Sequence, residues 1–140
     1  MSINLLEMKN VVIEAEIDGE WRPIVNGLSL ALEKGEIVGL IGESGAGKST
    51  LGLAALGYTK PGCRIVSGSI KFDGLELTTL PEKQLRNLRG NRVSYVAQSA
   101  AAAFNPAHRL LEQFLESPVQ HGKMNRTEAK AKGRRLYPQL

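Results

Sequence analysis

Ile37-Val38-Gly39-Leu40-Ile41-Gly42-Glu43-Ser44-Gly45-Ala46-Gly47-Lys48-Ser49-Thr50 is the stretch that decides how this 140-residue chain folds. Ile37 to Ile41 is almost wholly apolar, the pattern of a central strand covered on both faces. Gly42 to Ser49 then matches G-x-x-x-x-G-K-[ST] at every fixed position, and Lys48 to Leu56 reads as a helix. Each fixed residue has a physical reason. Glycines admit positive φ and let backbone N–H groups approach an anion closely. The start of the helix directs its unbonded N–H groups and positive dipole end at the same place. Lys48 supplies an ammonium for β- and γ-phosphates, and the Ser49 hydroxyl is a ligand for Mg²⁺. The loop is expected to cradle a nucleoside triphosphate, with ATP as the nucleotide.

Outward from the loop, the first third is β-rich. Asn10 to Ile17 has one apolar face, formed by Val11, Ile13, Ala15 and Ile17. A turn at Asp18-Gly19-Glu20 precedes a second alternating segment, Leu28 to Leu32. Gly57 to Gly68 reads as a loop, Ser69 to Phe72 as a strand, and Asp73-Gly74 as a turn. Thr79 and Glu82 have capping-box spacing for a helix ending at Gly90, and Arg92 to Ala97 is a strand candidate. Asn105-Pro106 is expected to open a helix whose Leu110, Leu111, Phe114 and Leu115 share a face. A last helix is expected from about Thr127, weakened by Gly133 and ended by Pro138.

Composition excludes several classes. The apolar fraction of 42% and charged fraction of 23% are ordinary for a globular chain. Cys63 is alone, so no internal disulfide or cysteine metal cage is possible. No run nears the ~18 apolar residues of a membrane span, and the start lacks the pattern of a secretory signal. The net charge of +4 is concentrated from Lys123 onward, where there are six basic residues and one acid. That distribution describes a solvated basic helix, and no nucleic-acid partner is expected.

The loop alone does not distinguish among P-loop enzymes. Leu28-Ser29-Leu30, Lys34-Gly35-Glu36, the run Gly39 to Thr50 and Gly68-Ser69-Ile70-Lys71-Phe72-Asp73-Gly74 together resemble the ATP-binding subunits of ABC transporters. Arg89-Gly90-Asn91-Arg92-Val93-Ser94-Tyr95-Val96-Ala97-Gln98 resembles that family's approach to its glutamine loop, with Gln98 lying 50 positions after Lys48. Phe104-Asn105-Pro106 and the Glu43-Ser44 form of the loop are similar to the oligopeptide and dipeptide importer branch.

The resemblance implies an α/β fold: a P-loop NTPase core of ABC type with an N-terminal antiparallel β subdomain, truncated within the helical subdomain. It implies a division into a β-rich part (1–35), a P-loop core reaching the glutamine loop (36–98) and the start of a helical subdomain (99–140). Lys48 and Gln98 would be the catalytic residues, with Ser49 and Gln98 at Mg²⁺. Gly42, Glu43, Ser44, Gly45, Ala46, Gly47, Lys48, Ser49 and Thr50 would hold ATP. Trp21 is the candidate for the aromatic that stacks on adenine, although an ungapped count from Gly35 places Gly19 there instead. His108 and His121 match no motif, and neither inherits the family's later switch histidine.

The implied partners are transmembrane permease subunits and a second ATP-binding subunit, at the cytoplasmic face of a bacterial inner membrane. No signature motif resembling L-S-G-G-Q is present, nor a late apolar strand ending in Asp-Glu. ATP binding with little or no independent hydrolysis is therefore expected, together with unpaired apolar edges at Ile37–Ile41 and Arg92–Ala97. Two other readings remain open at this point. One is an ATP-binding component of a non-transport complex such as a carbon–phosphorus lyase; the other is an inactive remnant.

Overall fold

A computed structural model of the chain describes residues 4–45, 47–99 and 103–139. Contacts divide it into two compact units, Met1–Leu85 and Arg86–Leu140.

In the first unit, β1 (Leu6–Ile17), β2 (Glu20–Leu32), β3 (Cys63–Phe72) and β4 (Leu75–Glu76) form an antiparallel sheet in the order β2-β1-β3-β4. The two tight connections are the ones the turn residues predict. Asp18-Gly19 joins β1 to β2 and Asp73-Gly74 joins β3 to β4, all four residues having positive φ, as mirror-image hairpin turns require. Met8, Val11, Ile13 and Ile70 are fully buried. Each such side chain contributes about 1.5–3 kcal/mol by leaving water.

Met8 and Val11 are both buried although they lie three positions apart, an odd spacing for one strand face, because β1 bulges between them. Asn10 sits in the bulge at φ 48°, and its N–H donates to Ser29 Oγ at 2.9 Å. The opposite strand accommodates this with Gly68, where a Cβ would lie 2.6 Å from the Asn10 carbonyl oxygen. β3 consequently extends back through Gly68 to Cys63, beyond the expected start at Ser69. The bulge tolerates a residue without a side chain, so Gly68 continues the strand.

α1 (Lys48–Ala54) buries Leu51, Leu53 and Ala54. α2 (Glu82–Leu88) buries Leu85 and Leu88. α2 does not use the expected Thr79–Glu82 capping box: Glu82 is its first residue, and the Pro81 carbonyl accepts from Leu85 N–H at 3.1 Å. A proline just ahead of the first turn loses no helical hydrogen bond there, so the helix begins after it.

Two expected strands do not form. Ile37–Ile41 joins no ladder, and Ile37 and Ile41 are 96% and 101% exposed. Arg92–Ala97 makes only an isolated bridge, Arg89 to Val93, and Val96 is 90% exposed. A strand has no internal hydrogen bonds, and among the described residues neither segment pairs into a ladder that would supply them.

The second unit is built on α3 (Leu110–Gln120) and α4 (Arg126–Leu136), followed by a 3₁₀ turn at Tyr137–Gln139. α3 starts four residues after Pro106, not at Asn105-Pro106. Asn105 instead turns the chain locally, its Oδ1 accepting from Ala107 N–H at 3.0 Å, while Gln113 closes that loop by bonding the Asn105 N–H and carbonyl. Of the four apolar residues expected on one face of α3, Leu115 is buried and Leu110 and Leu111 are exposed. α4 begins at Arg126, where Asn125 and Glu128 form a reciprocal capping box. Gly133 does not break α4 but brings it close to α3, since a Cβ there would meet Phe114 Cε1 at 2.7 Å.

Candidate nucleotide-binding site

The loop after Ile41 bends through Ser44-Gly45, with Gly45 at φ 85°, and ends at Gly47 with φ 79°. Ala46 lies outside the described residues. Gly47 is the N-cap of α1, and no side chain caps that end; the first turn carries no acidic residue. Polar N–H groups at the start of α1 therefore lack a side-chain acceptor, which is the arrangement an anion satisfies.

Lys48 Nζ donates to the Gly42 carbonyl at 2.6 Å and to the Glu43 carbonyl at 2.5 Å. The ammonium thus ties the start of the loop to the start of the helix and holds positive charge at its centre. Ser49 is exposed and Thr50 half-buried on the same turn. Gly42, Glu43, Ser44, Gly45, Gly47, Lys48, Ser49 and Thr50 are together in the first unit, as their succession in the chain requires.

A contact not visible in the motif fixes the loop from below. A Cβ on Gly47 would lie 2.8 Å from the Ile24 carbonyl oxygen and 3.0 Å from Val25 Cγ2, so the loop ends pressed against β2. Beside it opens a cavity of about 320 Å³ lined by Ile24, Asn26, Leu28, Ile41, Gly47 and Lys48. No local pattern announces Ile24 or Asn26, because their role comes from the placement of a strand that precedes the loop in the chain.

Trp21 is on β2, three residues before Ile24 and opposite Glu16 in the hairpin. The Arg64 guanidinium lies over its ring, with Cζ 4.0 Å from the centroid. Gln98 is an exposed residue at a bend in the second unit. Gly19, the other position considered for adenine stacking, is the second residue of the β1–β2 turn. His108 is exposed, and His121 packs beside Gly90 and Ser117 at the end of α3, a structural setting for both.

The titration of the Glu76 carboxylate is strongly displaced. Burial pushes its pKa up, but donors from Ser69 Oγ, Thr78 Oγ1 and the Ile70 and Thr78 N–H groups outweigh this and hold it at about 2. It braces the β3–β4 turn and stands apart from the loop in the sequence.

The fold and loop define a P-loop α/β chain, in which a triphosphate with its Mg²⁺ fits the uncapped helix start, the Lys48 ammonium and the Ser49 hydroxyl. Comparison with known proteins makes the class specific. The ABC transporter family model matches residues 25–137, and the chain belongs to that family. It is 34% identical over 113 residues to the peptide transport system ATP-binding protein SapD of Escherichia coli O6:H1, covering 81% of this chain and 34% of that protein. It is 38% identical over 126 residues to the oligopeptide transport ATP-binding protein OppD of Salmonella typhimurium, covering 89% of this chain and 37% of that protein. AppD of Bacillus subtilis, an oligopeptide transport ATP-binding protein, is 36% identical over 127 residues. The chain thus spans a little over a third of the length of these relatives. The dimeric MJ0796 ABC transporter cassette superposes with a TM-score of 0.76 at 21% identity, covering 94% of this chain and 55% of that one. At that identity the match establishes the fold: an ABC-type P-loop core with an antiparallel β subdomain.

Proposed function

We propose that the chain is the ATP-binding part of a peptide importer of the ABC transporter family. The observation that carries this is the loop: Lys48 Nζ bridging the Gly42 and Glu43 carbonyls beside an uncapped helix start, inside a chain 34–38% identical to peptide transport ATP-binding proteins. Gly42 to Thr50 surround the phosphates, Lys48 balances the β- and γ-phosphate charge, and Ser49 is offered to Mg²⁺. Gln98 is assigned to Mg²⁺ and the attacking water by its position in the motif order, and Trp21 to the adenine. The division at residues 1–35, 36–98 and 99–140 follows the same assignment.

Binding and hydrolysis have different requirements. Hydrolysis needs an oriented water and a suitably placed base or polar group as well as the phosphate cradle. Glu43 and Asp73 do not match that role, since Glu43 is at a variable position of the motif and Asp73 is in the β3–β4 turn. We therefore assign ATP binding to these residues and turnover to an assembly with further groups, including a second ATP-binding subunit and membrane permeases. Among the described residues no helix is long and apolar enough to cross a membrane, so attachment to the cytoplasmic face would be through those permeases.

Calorimetric titration with ATP and AMP tests the assignment. ATP should bind at least about tenfold more tightly, because each charge-assisted hydrogen bond lost with the outer phosphates costs about 1.5–3 kcal/mol. Equal affinities would move the site away from Gly42–Ser49.

A further inference from the structure

The positive charge of the chain is gathered around α4, and the nucleotide site makes no use of it. From Lys123 onward there are six basic residues and one acid, while the rest of the chain carries twelve basic residues against thirteen acidic ones. Two of the charges around α4 are engaged within the second unit. Arg126 pairs with Glu112 of α3, and the Glu128 carboxylate accepts from the Asn125 N–H at 2.9 Å in the capping box. Among the described residues no acid pairs with Lys123, Lys130, Lys132, Arg134 or Arg135.

The helix geometry sorts these cations onto one side. α4 is buried through its small residues, Ala129 and Gly133, and a Cβ on Gly133 would meet the Phe114 ring at 2.7 Å. At about 3.6 residues per turn, Ala131 then lies opposite that contact. Lys130 and Arg134 flank it on one side and Lys132 and Arg135 on the other, and all five residues are exposed. At the end of the helix Leu136 and Tyr137 are 41% and 58% exposed. The Tyr137 ring centroid is 6.0 Å from that of Phe114, so the tyrosine is steadied on one side and open on the rest.

We propose that the outer face of α4 docks on an anionic lipid surface. Two rows of cations on a helix fixed by its other face complement the repeating negative charge of such headgroups, and each basic residue near them strengthens binding about fivefold. Tyr137 is the residue type that settles at headgroup level, and Leu136 beside it can enter the apolar layer beneath. Leu136 is what favours a bilayer over a nucleic acid, whose phosphates cover no such layer. It is also the one large apolar residue of α4, so the helix lies on the surface, held by charge and reversibly. The inference is independent of the nucleotide assignment, and it adds a direct lipid contact to attachment through permeases.

Flotation of the full 140-residue chain with lipid vesicles tests this, comparing phosphatidylcholine alone with phosphatidylcholine that carries about one-third phosphatidylglycerol. The wild type should float with the anionic vesicles and stay behind with the neutral ones. Raising the salt from about 0.1 M to 0.5 M should release it, as the screening length falls from about 10 Å to about 4 Å. Lys130→Gln/Lys132→Gln should weaken partition to the anionic vesicles about tenfold or more, following from about fivefold per charge. Lys60→Gln/Lys83→Gln removes the same charge from exposed positions on other elements and should leave partition within about threefold. Circular dichroism checks that both variants keep the helix content of the wild type. Equal flotation with the two vesicle types, including none with either, would overturn the proposal. Equal losses in the two double variants would also overturn it, by assigning the effect to net charge. So would binding to a short DNA duplex without binding to anionic vesicles, which would make α4 a nucleic-acid surface.

Discussion

Replacing Gly47 by alanine should damage the loop in a way that replacing Gly45 does not, although both glycines have positive φ. Gly45 has φ 85° with nothing within 4 Å of an added methyl, whereas at Gly47, φ 79°, the methyl would lie 2.8 Å from the Ile24 carbonyl oxygen. In Gly45→Ala only backbone strain acts, about 1–2 kcal/mol, offset by about 0.4–1 kcal/mol from the stiffer unfolded chain. A net loss near 1 kcal/mol follows. Gly47→Ala carries the same strain plus an overpacking cost of about 1–3 kcal/mol, because the nearest atom is backbone and cannot swing aside. Its total is about 2–4 kcal/mol. Urea unfolding followed by Trp21 fluorescence measures both variants on the strand that Gly47 touches. Equal losses for the two variants would refute the contact between the loop and β2.

Gly68→Ala should be at least as severe, near 3 kcal/mol or more, because its methyl would meet three backbone atoms of the β1 bulge at 2.6–2.7 Å from a residue already at φ 98°. The same urea experiment checks it, and a loss below about 1 kcal/mol would mean that the bulge at Asn10 is not formed in solution. Glu76→Gln should destabilise the chain by about 1 kcal/mol at pH 7, a figure reduced for the partial solvent exposure of the carboxylate. The sign follows from a folded-state pKa of about 2 against an ordinary value of 4.5. The stabilisation is complete above pH 4.5 and is lost as pH falls toward 2, so thermal melts of wild type and variant should converge across that window. A difference that persists unchanged at the acid end would point to packing in place of charge.

What the sequence disclosed and what it concealed divide by range of interaction. Asp18-Gly19 and Asp73-Gly74 are local devices, and both turns stand where the residues indicate. The phosphate loop is equally local, and its two positive-φ glycines and bridging lysine lie in the expected order. The bulge at Asn10 is not legible in the sequence, because it depends on Gly68 and Ser29 on two other strands. Ile37–Ile41 has the composition of a central strand, but composition cannot supply a neighbour, and its outer residues stay exposed. The helix caps show the same competition at short range. α2 begins after Pro81 without a cap from Thr79, and a capping box forms instead at Asn125 and Glu128. Glu14 and Arg64 carry no motif and are 50 residues apart in the chain; only strand pairing brings them to Trp21.

Titration of a fluorescent ATP analogue against the wild-type chain and Lys48→Ala, with far-UV circular dichroism to establish that both are folded, tests the assignment of Gly42–Ser49 as the nucleotide site most directly. The account predicts saturable binding by the wild type and a loss of about tenfold or more in Lys48→Ala, since one charge-assisted contact to phosphate is removed. Equal affinity of the two folded proteins, or no binding by the wild type, would contradict it.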